Sequence, residues 1–148
     1  MTIYGVRRRV ACYVTRTTER GAELLVFEHG EDDPLDPSGV QVPAGGMATH
    51  EGIEEAALRE TEEETGLKGL TLVDQLGGQE RGLDHPEGAA MTTFVHLRAA
   101  GGGLDAWRHA VVGEGEDSGL VFRCRWEPLP LDFELSGGQG EFLDTLPT

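Results

Sequence analysis

The chain has 148 residues and carries 12 Lys and Arg against 27 Asp and Glu, a formal net charge of −15. This negative charge argues against a nucleic-acid clamp or a protein of anionic membrane surfaces, because both depend on Lys and Arg. The length predicts a single domain, residues 1–148. No apolar run is long enough for a membrane span, and the absence of a signal-peptide pattern after Met1 favours the cytoplasm.

Short apolar segments separated by polar and Gly-rich connections predict several strands with one helix in the middle of the chain. This pattern indicates an α/β fold. Cys12 and Cys124 are far apart in the sequence, and we expect two reduced, buried thiols rather than a disulfide framework. In chain order the strands are predicted at 10–15, 24–27, 70–76, 91–98, 106–112 and 120–126, with an extended piece at 40–42 and a short terminal helix at 140–146.

The central helix is predicted to begin at Glu51 or Gly52 and to end at Thr65. Thr49 is a candidate N-cap, because its hydroxyl could accept a hydrogen bond from a free backbone amide of the first turn. Gly66 is well suited to end the helix, because glycine readily adopts the left-handed conformation.

This helix carries most of the chemical signal, because it is crowded with carboxylates. Glu60, Glu63 and Glu64 are three and four residues apart and therefore lie on one side of the helix, where like charges cost roughly 0.2–0.5 kcal/mol per pair. A hard divalent cation such as Mg²⁺ would relieve this repulsion and could bridge to substrate phosphates. The alternative is a solvated acidic face. The segment has one cation, Arg59, and seven glutamates at positions 51, 54, 55, 60, 62, 63 and 64.

The spacing of these residues resembles the signature box of the Nudix hydrolase family, G-x5-E-x7-R-E-U-x-E-E-x-G-U, where U is a bulky aliphatic residue. The box would run from Gly45 to Leu67, and eight of its nine fixed positions match this chain. The exception is Thr61, which stands at an aliphatic position and could still present its methyl group to the core. The resemblance implies a Nudix-type α/β/α sandwich with a mixed sheet.

The resemblance also implies roles for the box residues. Glu60, Glu63 and Glu64 would bind one to three Mg²⁺ or Mn²⁺ ions. Arg59 would pair with a box glutamate such as Glu51 and orient the metal-binding side chains. Its alternative is a surface ion pair with Glu55 or Glu63, which would contribute little stability. Two further box residues, Gly45 and Gly46, would let the backbone turn tightly near the substrate.

The reaction implied by the family is attack of water on phosphorus in a nucleoside diphosphate linked to another group. The box does not fix the general base, which in this family can be a box glutamate or a carboxylate from a later loop. Our candidates are Glu114 and Glu116 in the Gly-rich segment 113–119, with Glu80 and Glu87 as alternatives. The simpler interpretation of each is a solvated loop acid.

The residues after the box leave the substrate open. A Pro about sixteen residues downstream would suggest ADP-ribose, and a Tyr at a similar distance would suggest diadenosine polyphosphates. This chain has Leu83, Asp84 and His85 there, and it also lacks the upstream coenzyme A signature. We therefore expect a small nucleotide such as a (deoxy)nucleoside triphosphate, and no nucleic-acid polymer or membrane as partner. The oligomeric state, including a homodimer, is left open. The rival interpretation is a non-catalytic nucleotide-sensing module, which would be expected to lose box carboxylates that this chain keeps.

Overall fold

The computed structural model of the chain describes residues 6–31, 35, 37–113 and 118–146. These residues form a mixed α/β fold with seven strands and one α-helix, as the sequence predicts. The elements are β1 (Arg7–Thr18), β2 (Gly21–His29), β3 (Ala44–Gly46), α1 (Ile53–Thr65), β4 (Thr71–Arg81), β5 (Ala90–Arg98), β6 (Ala106–Ala110), β7 (Val121–Pro128) and 3₁₀ turns at Ser136–Gly138 and Leu143–Thr145.

The strands form one sheet in the order β4-β5-β1-β2-β7-β6, with β3 beside β1. β1 pairs in parallel with β5, and the other strand pairs are antiparallel. β2 and β3 share one edge of β1, because residues 15–18 of β1 pair with β2 and residues 9–11 pair with β3. This pairing anchors the segment that leads into α1 against the first half of β1.

Both faces of the sheet are covered. Side chains of β1 alternate between the two faces, as in any strand. Val10, Cys12 and Val14 pack with Ala56 and Ala57 of α1. The alternate residues of β1 pack with the C-terminal segment in a second cluster that contains Ala11, Tyr13, Leu135, Phe142 and Leu146. The continuous burial of residues 10–16 follows from this double coverage.

The predicted terminal helix at 140–146 is a single 3₁₀ turn, Leu143–Thr145. Six or seven residues are too few for a stable α-helix, so tertiary contacts decide the conformation. Here the Tyr13 hydroxyl donates to the carbonyl of Gln139 at 2.5 Å and accepts from the amide of Phe142 at 3.2 Å.

Several predicted boundaries differ from the structure. The extended piece at 40–42 forms only an isolated bridge between Gln41 and Phe27, and β3 begins after Pro43, which has no amide to donate to a ladder. β4 continues to Arg81, into the segment predicted as a Gly-rich connection. Thr49 is not the N-cap. The cap is Gly52, which has no side chain that could accept a hydrogen bond from the first turn, and α1 begins at Ile53.

Two other predictions concern the helix end and the cysteines. Gly66 ends α1 in the left-handed conformation with a φ of 80°, as predicted, and its amide donates to the carbonyl of Glu62. Cys12 and Cys124 are free and buried, also as predicted. Within the described ranges, no helix combines the length and apolar character that a membrane span requires.

Candidate active site

The second half of α1 and the chain that leads into the helix form one wall of a cavity of about 760 Å³. Every box residue that the sequence assigns to the site lines this cavity. These residues are Gly45, Gly46, Glu51, Arg59, Glu60, Glu63 and Glu64. Of the general-base candidates, Glu87 also lines the cavity, whereas Glu80 lies exposed on β4 and does not line it. Glu114 and Glu116 lie outside the described residues.

Arg59 pairs with Glu51, as predicted. Its Nε donates to Oε2 of Glu51 at 2.6 Å, and its Nη2 donates to Oε1 at 2.7 Å. Nη2 also donates to the carbonyl of Gly46 at 2.9 Å. The hydrogen bonds from Arg59 lower the pKa of Glu51 to about 2. This two-pronged contact fixes the helix to the loop before it, a geometry that favours an arginine over a lysine.

The same guanidinium also contacts two carboxylates on the cavity side of the helix. Nη1 of Arg59 lies 3.0 Å from Oε1 of Glu60 and 3.0 Å from Oε1 of Glu63. Burial raises the pKa of Glu60, Arg59 opposes that rise, and the charge of Glu63 adds to it. One cation therefore serves three glutamates, counting Glu51, and the site holds more negative charge than its own cation neutralises.

Glu64, the third carboxylate, is held by the backbone. Its side chain is buried, and Oε1 accepts a hydrogen bond from the amide of Ala44 at 3.0 Å. A buried carboxylate is costly unless it accepts such bonds, and an amide donor favours the ionised form. The contact also fixes the start of β3 relative to the last turn of α1.

Two glycines lie directly against the carboxylates. A Cβ atom at Gly45 would clash with the carboxylate of Glu60, and a Cβ atom at Gly113 would clash with that of Glu63. Gly113 also has a φ of +103°, which other residues rarely adopt. At Gly46, by contrast, a Cβ would meet only Nη2 of Arg7, at 3.6 Å. The two box glycines therefore differ, and Gly45 is the one that borders a carboxylate.

The sequence did not single out Gly113 or His109. Nε2 of His109 donates to the backbone carbonyl of Glu63 at 3.0 Å, and the amide of Val112 donates to the same oxygen at 3.2 Å. These bonds attach β6 and the loop after it to the last turn of α1. A single sequence has no signal for this contact, because the two segments are brought together only by the fold.

The donors present fit a hard divalent cation. Mg²⁺ prefers oxygen ligands such as those of carboxylates, and this site offers three carboxylate side chains on one helix. Among the described residues, no three His, Cys, Asp or Glu side chains already converge on a metal position. Glu60 and Glu63 nevertheless point at one shared positive group, the Nη1 of Arg59.

The sequence matches the NUDIX domain family over residues 5–142. The chain belongs to the Nudix family. This match confirms the predicted family and the prediction of a Nudix hydrolase. The predicted α/β fold with a mixed sheet, shared with Nudix proteins, is also confirmed. A search of curated protein sequences found no match.

Solved structures of Nudix proteins resemble the chain. A Nudix hydrolase from M. Smegmatis, RenU, is 20% identical with a TM-score of 0.66, over 99% of this chain and 91% of that one. The Nudix domain of Shewanella oneidensis NrtR, complexed with ADP ribose, is 16% identical with a TM-score of 0.63, over 96% and 86%. A C. elegans Ap4A hydrolase is 15% identical with a TM-score of 0.58, over 94% and 87%. At these identities the likeness establishes the fold alone.

Proposed function

We propose that this protein is a divalent-metal-dependent pyrophosphohydrolase that cleaves a nucleoside diphosphate linked to another group. The observation that carries the proposal is the meeting of Glu60, Glu63 and Glu64 with Arg59 at the wall of one cavity. The cavity volume lies within the range of small-molecule sites and is sufficient for a nucleotide.

Glu60, Glu63 and Glu64 would hold Mg²⁺ or Mn²⁺. When bound, the ion would lower the pKa of water and neutralise charge that develops on the phosphate oxygens. The chain's own contribution is to keep the three carboxylates in place. Arg59 acts as a positioning residue, because its bidentate contact with Glu51 fixes the helix face that carries them.

We also propose candidates for the general base, the group that takes a proton from the attacking water. Glu114 and Glu116 are retained as candidates from the sequence. Within the described residues the alternative is Glu87, which lines the cavity and pairs with Arg81 at 3.1 Å. Its side chain is 67% exposed, so water can reach it.

As substrate we propose a small nucleotide, with a (deoxy)nucleoside triphosphate first. The resembling NrtR domain was solved with ADP ribose, and another resembling protein is an Ap4A hydrolase. Both ligand classes therefore belong in the test. The residues that follow the box here, Leu83 to His85, do not carry the markers associated with either class.

The proposal is tested by incubating the full chain with Mg²⁺ or Mn²⁺ and a panel of nucleoside triphosphates, ADP-ribose, diadenosine polyphosphates and coenzyme A. The expected result is cleavage of one class, abolished by excess chelator. It is measured as phosphate or pyrophosphate released from a triphosphate, or as the nucleotide fragment released from the other substrates. Turnover that persists in chelator would overturn the metal-dependent mechanism. Tight nucleotide binding without turnover under any of these conditions would instead identify a sensing module.

A further inference from the structure

Three arginines lie together at one end of the sheet, although the chain as a whole is strongly acidic. Arg7 on β1 and Arg81 on β4 are both register partners of Ala90, so they lie in one row on either side of β5. Arg9 is two residues further along β1 and therefore shares a face with Arg7. We refer to Arg7, Arg9 and Arg81 as the arginine cluster.

The cluster is not explained by contacts within the protein. In the part of the chain that the structure describes, the guanidinium of Arg9 makes no hydrogen bond or ion pair, although the residue is half-buried. Burial lowers the pKa of Arg9, and the charges of Arg7 and Arg81 lower it further, while Glu87 and Glu60 oppose this effect. Folding alone would favour a smaller or neutral side chain here.

Arg81 also has an unused donor. Its Nε donates to the carbonyl of Gly88 at 2.9 Å and its Nη1 to Glu87 at 3.1 Å. Its Nη2 is buried, and no acceptor among the described residues reaches it. A buried donor without an acceptor destabilises a fold, so such donors in native proteins call for an explanation.

The cluster borders the candidate active site. Arg7 and Arg9 line the same cavity as Glu60, Glu63 and Glu64. Nη2 of Arg7 lies over the backbone of Gly46, and Arg9 is the register partner of Gly46. The cavity therefore has a carboxylate wall and a guanidinium wall, joined by the segment that leads into α1.

We propose that the arginine cluster binds a phosphate group of the substrate, beyond the linkage held at the carboxylate wall. Guanidinium groups match phosphate oxygens in charge and in the geometry of paired hydrogen bonds. A phosphate in the cavity would supply an acceptor for Arg9, and its charge would offset the repulsion among the three cations. Arg81 does not line the cavity, so it contributes through its charge. This inference rests on the proposed function, because it assigns the second anion site in the same cavity. It favours a nucleoside triphosphate over a nucleotide with only two linked phosphates.

The first test measures binding without catalysis. The full chain in chelator is titrated with inorganic tripolyphosphate by calorimetry, in wild type, Arg9→Gln and Arg8→Gln. Arg8 is the matched control, because it is the neighbouring exposed residue of β1, loses the same charge and does not line the cavity. Loss of one charged contact should weaken binding at least about tenfold in Arg9→Gln only. No measurable binding by wild type, or equal weakening in both variants, would overturn the proposal.

The second test uses the substrate found in the hydrolysis panel. Arg9→Gln should raise KM at least about tenfold and leave kcat within about threefold, because a contact made equally in the bound substrate and in the transition state contributes to binding and not to the chemical step. Its melting temperature should equal or exceed that of wild type, since the substitution removes like-charge repulsion. If the panel shows no turnover but tripolyphosphate binding depends on Arg9, the hydrolase proposal fails and the phosphate site stands. If turnover is present and neither KM nor tripolyphosphate binding depends on Arg9, the phosphate site fails alone.

Discussion

The carboxylate of Glu60 lies in the space that a side chain at Gly45 would occupy. Gly45 belongs to β3, and Glu60 is in the middle of α1. The strand and the helix therefore approach each other through a backbone on one side and a candidate metal ligand on the other. The position of that ligand depends on the absence of a single methyl group.

Gly45→Ala should lower activity more than stability. The added methyl would displace the end of a flexible side chain and not the backbone, so the melting temperature should change by only a few degrees. The Glu60 carboxylate would move by about 1 Å, a misplacement that can reduce kcat roughly a hundredfold. The measurement is kcat together with thermal unfolding. Gly46→Ala is the comparison, because its methyl would meet only Arg7 at an ordinary distance. A Gly45→Ala enzyme as active as Gly46→Ala would contradict the assignment.

Thr61→Val should stabilise the protein. Thr61 is fully buried, and among the described residues its hydroxyl has no partner stronger than the thiol of Cys12, a weak hydrogen-bonding group. Valine has nearly the same shape and removes this poorly satisfied hydroxyl, so we expect a gain of about 1 kcal/mol and about 3 °C in melting temperature. Differential scanning calorimetry would measure both. A loss of more than about 1 kcal/mol would mean that the hydroxyl is satisfied in solution.

The residues of the box were predictable because they are local. Their spacing on one helix already places Glu60, Glu63 and Glu64 together, and the pairing of Arg59 with Glu51 was implied by the resemblance to the family. Gly113 and His109 were not predictable, because only the fold brings β6 and the loop after it to the end of α1.

Some strand boundaries were predicted wrongly because they also depend on contacts with distant parts of the chain. Gly77 and Gly78 have the composition of a loop, yet they pair with Phe94 and Thr93 in the β4–β5 ladder, because the neighbouring strand supplies the hydrogen bonds. The missing N-cap at Thr49 has a local cause. The turn before the helix is made by the Glu51 carboxylate, which accepts from the amide of Ala48 at 2.8 Å.

Glu51→Gln should make stability less dependent on pH. The pKa of Glu51 lies at about 2 in the folded protein against an ordinary 4.5, chiefly because of Arg59. A lowered pKa stabilises the fold above the ordinary pKa, and this contribution is lost as pH falls from about 5 towards 2. Arg59 is about one third exposed, so we expect a cost of about 2 kcal/mol at pH 7 rather than the full value of the shift.

Urea unfolding of wild type and Glu51→Gln at pH 7, 5 and 4 would measure this effect. The difference between the two proteins should be largest at pH 7 and should begin to shrink below pH 5. Glu55→Gln, a substitution at an exposed position of the same helix, is the control and should lie close to wild type at all three values. A difference that stays constant with pH would show that the Glu51 charge is not the source of the stability.

The neighbours Glu62 and Glu63 offer a matched pair that separates the site from the scaffold. Glu62 is exposed, whereas Glu63 lines the cavity and accepts a hydrogen bond from Arg59 at 3.0 Å. Glutamine at either position keeps the helix and removes one charge from a crowded face. Without metal, the free energy of unfolding of both variants should therefore lie within about 1 kcal/mol of wild type. The backbone contacts of Glu63 with His109 and Val112 do not depend on its side chain. In Glu63→Gln, kcat should fall about a hundredfold or more, because one carboxylate of the proposed metal-binding set is lost, while Glu62→Gln should retain near-normal turnover. If both variants were equally active, the acidic face of α1 would be a solvated surface, and the hydrolase proposal would lose the observation that carries it.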